Sequence, residues 1–326
     1  INLNTADRRY ATDIAYVLRE RGRQKRRGNI NPFYYKGTLV KFAPGKFPCG
    51  PCDFVGSTVA ELATHYREAH GKDLYARFKE LGYNENDLIG KEVYDDGLFP
   101  HVKAVGWVVE NYKRAQISIN LTNYKIAPPH LVFDETRRLA EQRGIMINGS
   151  EIVGVIPFEA MLLAGKHYLQ RMRKSTGIPV RDILETAVQS MGLREVAAFD
   201  LDKKIIGIPH ASGPLVNQKI ADFVDEVSRD TPAPGGGSIA ALAGALSAAL
   251  AAMVVNLSAG KSEFDARFED LCALAEEAQK LKDELVHAID ADTEAFNSVL
   301  QALRLPKDTA EQKSTRSATM REGYKS

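Results

Sequence analysis

Cysteine and histidine within one short segment can bind a metal, and residues 47–70 read FPCGPCDFVGSTVAELATHYREAH. The spacing is Cys49-x2-Cys52-x12-His65-x4-His70, the Cys2His2 zinc pattern. Two thiolates on a tight knuckle and two imidazoles five apart on one helix face can reach one tetrahedral Zn2+ ion. Thr58 with Glu61 three residues on marks the helix start as a capping box. Gly56 stands where such a segment expects an aromatic residue, so Phe54 must take that place. Four protein ligands leave no open position, so the ion would be structural. The competing reading is chance spacing of surface side chains. A nucleic-acid partner is not expected. A single finger buries too little surface to read DNA alone, its base-facing positions would be Thr58, Glu61 and Thr64, and acidic residues follow it.

Two further segments can do chemistry. Residues 233–238 read APGGGS and lead into a helix. Gly235, Gly236, Gly237 and Ser238 can form a nest of free N–H groups suited to a carboxylate, a phosphate or a polar ring edge. The plainer reading is a tight turn capped by Ser238. Residues 288–307 read AIDADTEAFNSVLQALRLPK, where Asp290, Asp292 and Glu294 fan around a helix. Asp292 and Phe296 are four apart on one side, and a carboxyl beside an aromatic ring can pass protons. On residues alone, a solvated surface is the better account of all three acids.

These groups need elements to hold them. Residues 5–21 read as a helix capped by Thr5 and ended by Gly22, followed by a basic cluster of Arg19, Arg21, Arg23, Lys25, Arg26 and Arg27. The cluster is either a solvated helix end or an anion-binding patch. Residues 101–110 and 115–123 make an antiparallel hairpin, 128–143 a helix stopped by Gly144, and 145–147 with 151–156 a strand pair around Gly149. Helices fit 158–174 and 180–190, and a short strand fits 204–208. The expected fold class is α+β: an antiparallel-rich sheet with helices on one face, carrying the zinc-finger-like segment at 43–98. Residues 1–206 form this first domain, 207–217 a linker rich in Gly and Pro, and 218–326 an all-α helical bundle. Its helices are expected at 218–229, 238–258, 262–304 and from 309 onward, the third of them interrupted.

The 326 residues carry 43 Lys plus Arg against 42 Asp plus Glu, a balance that opposes a nucleic-acid or charged-membrane specialist. Three cysteines make no disulfide framework, which favours a reducing compartment, the cytoplasm. Residues 239–257 lack any charge, yet alanine dominates them, so a buried bundle helix is expected there and no membrane partner.

The order of these motifs resembles the bifunctional formiminotransferase–cyclodeaminase family. The likeness rests on INLNT, VKAVGWVVENYKRAQISINL, NGSEIVGVIPFEAML and REVAAFD in the first domain. In the second it rests on FVDEVSRDTPAPGGGS and IDADTEAFNSVLQALRLPK. It covers residue 1 to about 31 and about 99 to 326, so the zinc-like segment stands as an insertion. The resemblance implies a folate-dependent enzyme of histidine degradation. Formimino transfer from formiminoglutamate to tetrahydrofolate is followed by cyclodeamination to methenyltetrahydrofolate with release of ammonia. It implies that Asp292, the second Asp of a D-x-D-x-x-A-F motif, is the cyclodeaminase acid/base. The backbone of Gly235, Gly236, Gly237 and Ser238 would contact ligand near it.

The family's transferase histidine lies in a GAHPR-like segment absent from this sequence, so no transfer residue is assigned. Gln116, Ser118 and Asn120 alternate on one strand and could face the pterin, or form a solvated face; Ser150 and Glu151 are weaker candidates. The basic cluster could hold a polyglutamate tail. Folate and formiminoglutamate are the expected small-molecule partners and a homo-oligomer the expected assembly. The chain starts at Ile1 without Met and stops at Ser326 inside an expected helix, which reads as truncation at both ends. A fragment of that kind can be inactive, and the alternative role is a non-catalytic folate- or zinc-binding piece acting in subunit assembly.

Overall fold

The computed structural model describes residues 1–28, 36–111 and 113–323. It divides into two compact units, Ile1–Gly165 with Ala187–Ile206, and Lys166–Thr186 with Gly207–Ser326. The first begins with α1 (Arg8–Leu18) and the short strands β1 (Arg23–Gln24), β2 (Arg26–Arg27), β3 (Thr38–Leu39), β4 (Phe47–Pro48) and β5 (Val55–Gly56). Then come α2 (Val59–His70), α3 (Leu74–Leu81), β6 (Tyr94–Asp95), β7 (Val102–Val109), β8 (Arg114–Leu121), α4 (Pro129–Glu141) and β9 (Ile156–Pro157). Helices α5 (Phe158–Arg171) and α6 (Val180–Ser190) run through the unit boundaries, and α7 (Leu201–Lys204) with β10 (Ile205–Ile206) returns to the first unit. The second unit carries α8 (Ile220–Val227), α9 (Gly236–Ser258), a 3-10 turn (Ser262–Arg267), α10 (Phe268–Leu303) and α11 (Ala310–Gly323). Mixed helices and short strands make the fold α+β.

The hairpin β7–β8 is antiparallel, with Val102 opposite Leu121 and Trp107 opposite Gln116. Its inner face is apolar: Val102, Ala104, Ala115 and Ile117 pack against Ala11, Ile14, Ala15 and Leu18 of α1 and Val132, Leu139 and Ala140 of α4. Beneath that core Asp13 is fully buried and pairs with Arg143, whose Nε donates to it at 2.7 Å. A second core in the same unit, built on Phe42, Leu62, Tyr66, Leu74 and Phe78, holds the segment with the cysteines.

Several sequence expectations are corrected. Thr5 does not cap α1. The Asp7 carboxylate accepts from the Arg9 N–H at 3.0 Å, and Thr5 Oγ1 instead accepts from Asp7 N at 3.1 Å. Gly22 does not end α1 either; at φ +67° it lies against the Asp95 carbonyl, where a Cβ would come within 1.9 Å. The strand pair around Gly149 is absent among the described residues. The backbone at 146–149 pairs with residues 2–4, Asn148 N donating to Asn2 O at 2.7 Å and Asn4 N to Met146 O at 2.9 Å. Residues 2–4 already lie beside β8, so their free edge outcompetes a local hairpin. Residues 204–208 contribute only β10, which pairs with β9 in parallel.

In the second unit α10 is one continuous helix of 36 residues after its 3-10 turn. Against it lies α9, which buries only the stripe Ser238, Ala241, Ala245, Ala252 and Val255. Alanines and Gly244 let the two backbones approach; a Cβ on Gly244 would meet Leu285 Cδ1 at 3.1 Å. The buried bundle helix expected here is therefore buried along one stripe only among the described residues. Leu250 is 59% exposed and Leu257 64%, and Leu246, Met253 and Val254 share that face. By length and composition alone α9 is long and apolar enough to cross a membrane.

Candidate functional site

The Cys/His segment brings its four candidate ligands together. The ligand atoms of Cys49, Cys52, His65 and His70 all lie within 4.8 Å of one another. Cys49 Sγ is 3.4 Å from His70 Nε2, and Cys52 Sγ is 3.1 Å from His65 Nε2. Antiparallel β4–β5 supplies the knuckle, closed by the Cys49 N–H donating to Phe54 O at 2.8 Å. Helix α2 supplies the histidines. Its N-cap is Thr58, whose Oγ1 accepts from Glu61 N at 3.1 Å, while the Glu61 carboxylate reaches Ser57 N at 2.8 Å. Phe54 does take the missing aromatic place, stacking on His65 with ring centroids 3.9 Å apart. Burial first, and then the Cys52 sulfur, push the Cys49 thiol up to about 12. Two crowded sulfurs and two imidazoles of this kind are the donor set of a tetrahedral cation site.

In the second unit the glycine loop and the acidic helix meet. Ser238 Oγ is fully buried, 2.8 Å from Ile289 O, 3.1 Å from Asp292 Oδ2 and 3.0 Å from Thr293 Oγ1. One hydroxyl hydrogen can serve only one of these acceptors at a time. Gly237 borders the same carboxylate, for a Cβ there would lie 2.1 Å from Asp292 Oδ1. Gly235 is the N-cap of α9 and no side chain caps its first turn, so Ser238 is not the cap expected. Asp292 itself remains exposed, as does Glu294.

Asp290 departs from the surface reading. It is buried and accepts from Leu215 N at 2.8 Å and Val216 N at 3.0 Å, holding residues 215–216 against α10. A Cβ on Gly213 would lie 2.2 Å from its Oδ2. The available signal was its place on the helical stripe shared with Val286, Ile289 and Thr293. The acids at two-residue steps thus divide their work, Asp290 facing inward and Asp292 outward.

Gln116, Ser118 and Asn120 share the face of β8 turned away from the core, opposite Trp107, Val105 and Lys103 of β7. Gln116 is buried in a polar cluster. Its Oε1 accepts from Trp107 Nε1 at 2.7 Å, and its Nε2 donates to Asn2 Oδ1 at 2.8 Å and to Glu151. Ser118 is half-buried and Asn120 exposed. Sequence reasoning missed Asn2 and Trp107 here; the alternation of INLN was the usable sign. Ser150 is occupied structurally, donating to Met191 O at 2.6 Å.

The basic cluster is largely built into the fold. Arg19 Nε donates to Gly22 O at 2.8 Å, Arg23 pairs with Asp13 and Asp95 at 3.3 Å, and Arg26 donates to Gly37 O at 2.7 Å. Lys25 Nζ donates to Cys49 O at 2.9 Å and Gly50 O at 3.0 Å, on the cysteine turn. Arg21 and Arg27 are exposed.

Comparison with known proteins agrees with this two-part plan. Residues 59–209 match a family model described as the formiminotransferase domain, and residues 219–326 one described as formiminotransferase-cyclodeaminase. The first match begins within the segment of the four candidate ligands. The chain is 34% identical over 234 residues to the formimidoyltransferase-cyclodeaminase of Mus musculus, covering 70% of this chain and 43% of that protein. It is 34% identical over 277 residues to that of Dictyostelium discoideum, covering 82% and 49%. A methenyltetrahydrofolate cyclohydrolase of Methylorubrum extorquens is 40% identical over 109 residues, 33% of this chain and 52% of that protein. An α+β part of one match and a helical part of the other define a two-part protein of the formiminotransferase class. The chain belongs to the formiminotransferase–cyclodeaminase family. It spans about half the length of the formimidoyltransferase-cyclodeaminases it matches.

Proposed function

We propose that the chain is part of a folate-dependent one-carbon enzyme of histidine degradation. It would move a formimino group from formiminoglutamate to tetrahydrofolate. It would then cyclise 5-formiminotetrahydrofolate to 5,10-methenyltetrahydrofolate with release of ammonia. The observation that carries this reading is the convergence of Asp292 with the loop of Gly235, Gly236, Gly237 and Ser238. Ring closure removes a proton from the attacking nitrogen, and the departing nitrogen leaves readily only when protonated. One carboxylate can take the first proton and deliver the second, a role contributing about 10²–10⁴-fold in rate. Ser238, which also meets Thr293 Oγ1, orients it, and the uncapped first turn of α9 offers N–H groups to an anionic or polar edge of the ligand. In the full-length protein, Asp292→Asn is expected to lower ammonia release by about 10²–10⁴-fold with an unchanged circular dichroism spectrum. Near-normal cyclisation would overturn the assignment.

Tetrahydrofolate is the co-substrate, and the outer face of β7–β8 around Gln116, Ser118, Asn120 and Trp107 is its wall in the transferase half. Cys49, Cys52, His65 and His70 hold a structural Zn2+, making residues 43–98 a zinc-finger-like insertion, and the helices from residue 218 belong to a bundle. The uncovered apolar face of α9 supports a homo-oligomer. The protein works in the cytoplasm, without nucleic-acid or membrane partners. The cyclohydrolase relative supports a second reading of the Asp292 site, in which water attacks the methenyl carbon of the same folate. Hydrolysis of methenyltetrahydrofolate without ammonia release from the formimino compound would favour it.

A further inference from the structure

The metal knuckle is gripped by a residue from outside its own segment. Lys25 follows β1, 24 residues before Cys49, and its side chain is only 18% exposed. Its Nζ donates to Cys49 O at 2.9 Å, to Gly50 O at 3.0 Å and to Cys52 O. An ammonium group has three N–H donors, so the knuckle uses all of them. Asp53, 3.9 Å away and fully exposed, adds only a loose counter-charge. From the other side β6 presses on the same turn, because a Cβ on Gly50 would lie 1.9 Å from Tyr94 O. Strand β6 in turn pairs with β1, Gln24 opposite Tyr94. The backbone of Lys25 is fixed within this frame, its N–H donating to Val93 O at 2.7 Å and its carbonyl accepting from Val40 N at 2.9 Å.

We infer that Lys25 is the positioning residue of the metal site, holding the Cys49–Cys52 turn in the shape that lets both sulfurs converge on one ion. The inference rests on the reading of Cys49, Cys52, His65 and His70 as a zinc site. The knuckle's carbonyls point toward one cation while its sulfurs point toward another. Removing the ammonium leaves three carbonyls without their shared donor, and the turn relaxes. Outer residues that orient metal ligands are worth about 10–100-fold in metal affinity. Because Lys25 belongs to the β1–β2 segment, metal uptake also tightens the chain that follows α1.

The test uses the full chain under reducing conditions. Zinc affinity is measured by competition with a chromophoric chelator, and site geometry by the visible spectrum of the Co2+ form. Wild type is expected to bind one ion with a tetrahedral Co2+ spectrum. Lys25→Met should weaken zinc about 10–100-fold, Lys25→Arg should recover part of that loss, and Lys46→Met, on an exposed turn, should match wild type. If Lys25→Met does not fold, Lys25→Gln takes its place with the same expectation. A neutral Lys25 variant that binds zinc as wild type does overturns the role of Lys25 and leaves the zinc reading standing. A wild-type chain that takes up no metal overturns both.

Discussion

Asp290 and Asp292 stand two positions apart and do opposite things, one tying down backbone N–H groups and the other facing solvent beside a glycine loop. Their neighbours make the distinction testable. Gly237→Ala places a methyl group where the Asp292 carboxylate now sits, so that carboxylate must move. A displacement of about 1 Å can cost about 10²-fold in rate. Cyclodeamination should fall by that order in the full-length protein while its melting temperature barely changes. At the proposed metal centre, Cys49→Ser should abolish zinc binding, read as about one zinc per chain lost by metal analysis. The raised Cys49 thiol sets a pH dependence. Zinc takes thiolates, so uptake near neutral pH must expel protons, and affinity should strengthen as pH rises from about 6 to about 8. A pH-independent affinity over that window would contradict it.

At the scale of elements, α1 depends on a charge it buries. Asp13 is fully enclosed and Arg143, whose side chain is 3% exposed, is its main partner. Asp13→Ala leaves that guanidinium unpaired in the core and should destabilise the first unit by about 3–5 kcal/mol, measured by denaturant unfolding. Nothing in the period of α1 announces this pair, because its partner lies 130 positions away. Local signals did better where a pattern is self-contained. The β7–β8 hairpin, the capped start of α2 and the stop of α4 before Gly144 could be read from residue order. So could the grouping of the Cys49, Cys52, His65 and His70 side chains, since they lie within one short segment. Legibility failed where distant backbone competed, as when residues 2–4 claimed the strand partner expected near Gly149. On residues alone the glycine loop left a nest and a turn capped by Ser238 both open, because the carboxylate that borders it arrives from 54 positions further along.

At the scale of the molecule, α9 carries a continuous exposed apolar face among the described residues, formed by Leu246, Leu250, Met253, Val254 and Leu257. Burying one such side chain is worth about 1.5–3 kcal/mol, so a protein surface that covers this face gains substantially. Sedimentation velocity should show concentration-dependent association, and Leu250→Glu should weaken it at least about tenfold. The unit that carries α9 also takes in Lys166–Thr186. Lys166 pairs with Glu276 at 2.8 Å, Asn256 Nδ2 donates to Gly177 O at 2.9 Å, and Gly177 leaves no room for a Cβ beside Ala275. Those 21 residues lie inside the stretch that matches the formiminotransferase model. Joining the residues from Gly207 onward to a different first unit would therefore exchange part of the helical unit's own wall. A fusion that kept the helical unit intact would have to carry this short stretch, which belongs to the formiminotransferase match, along with it.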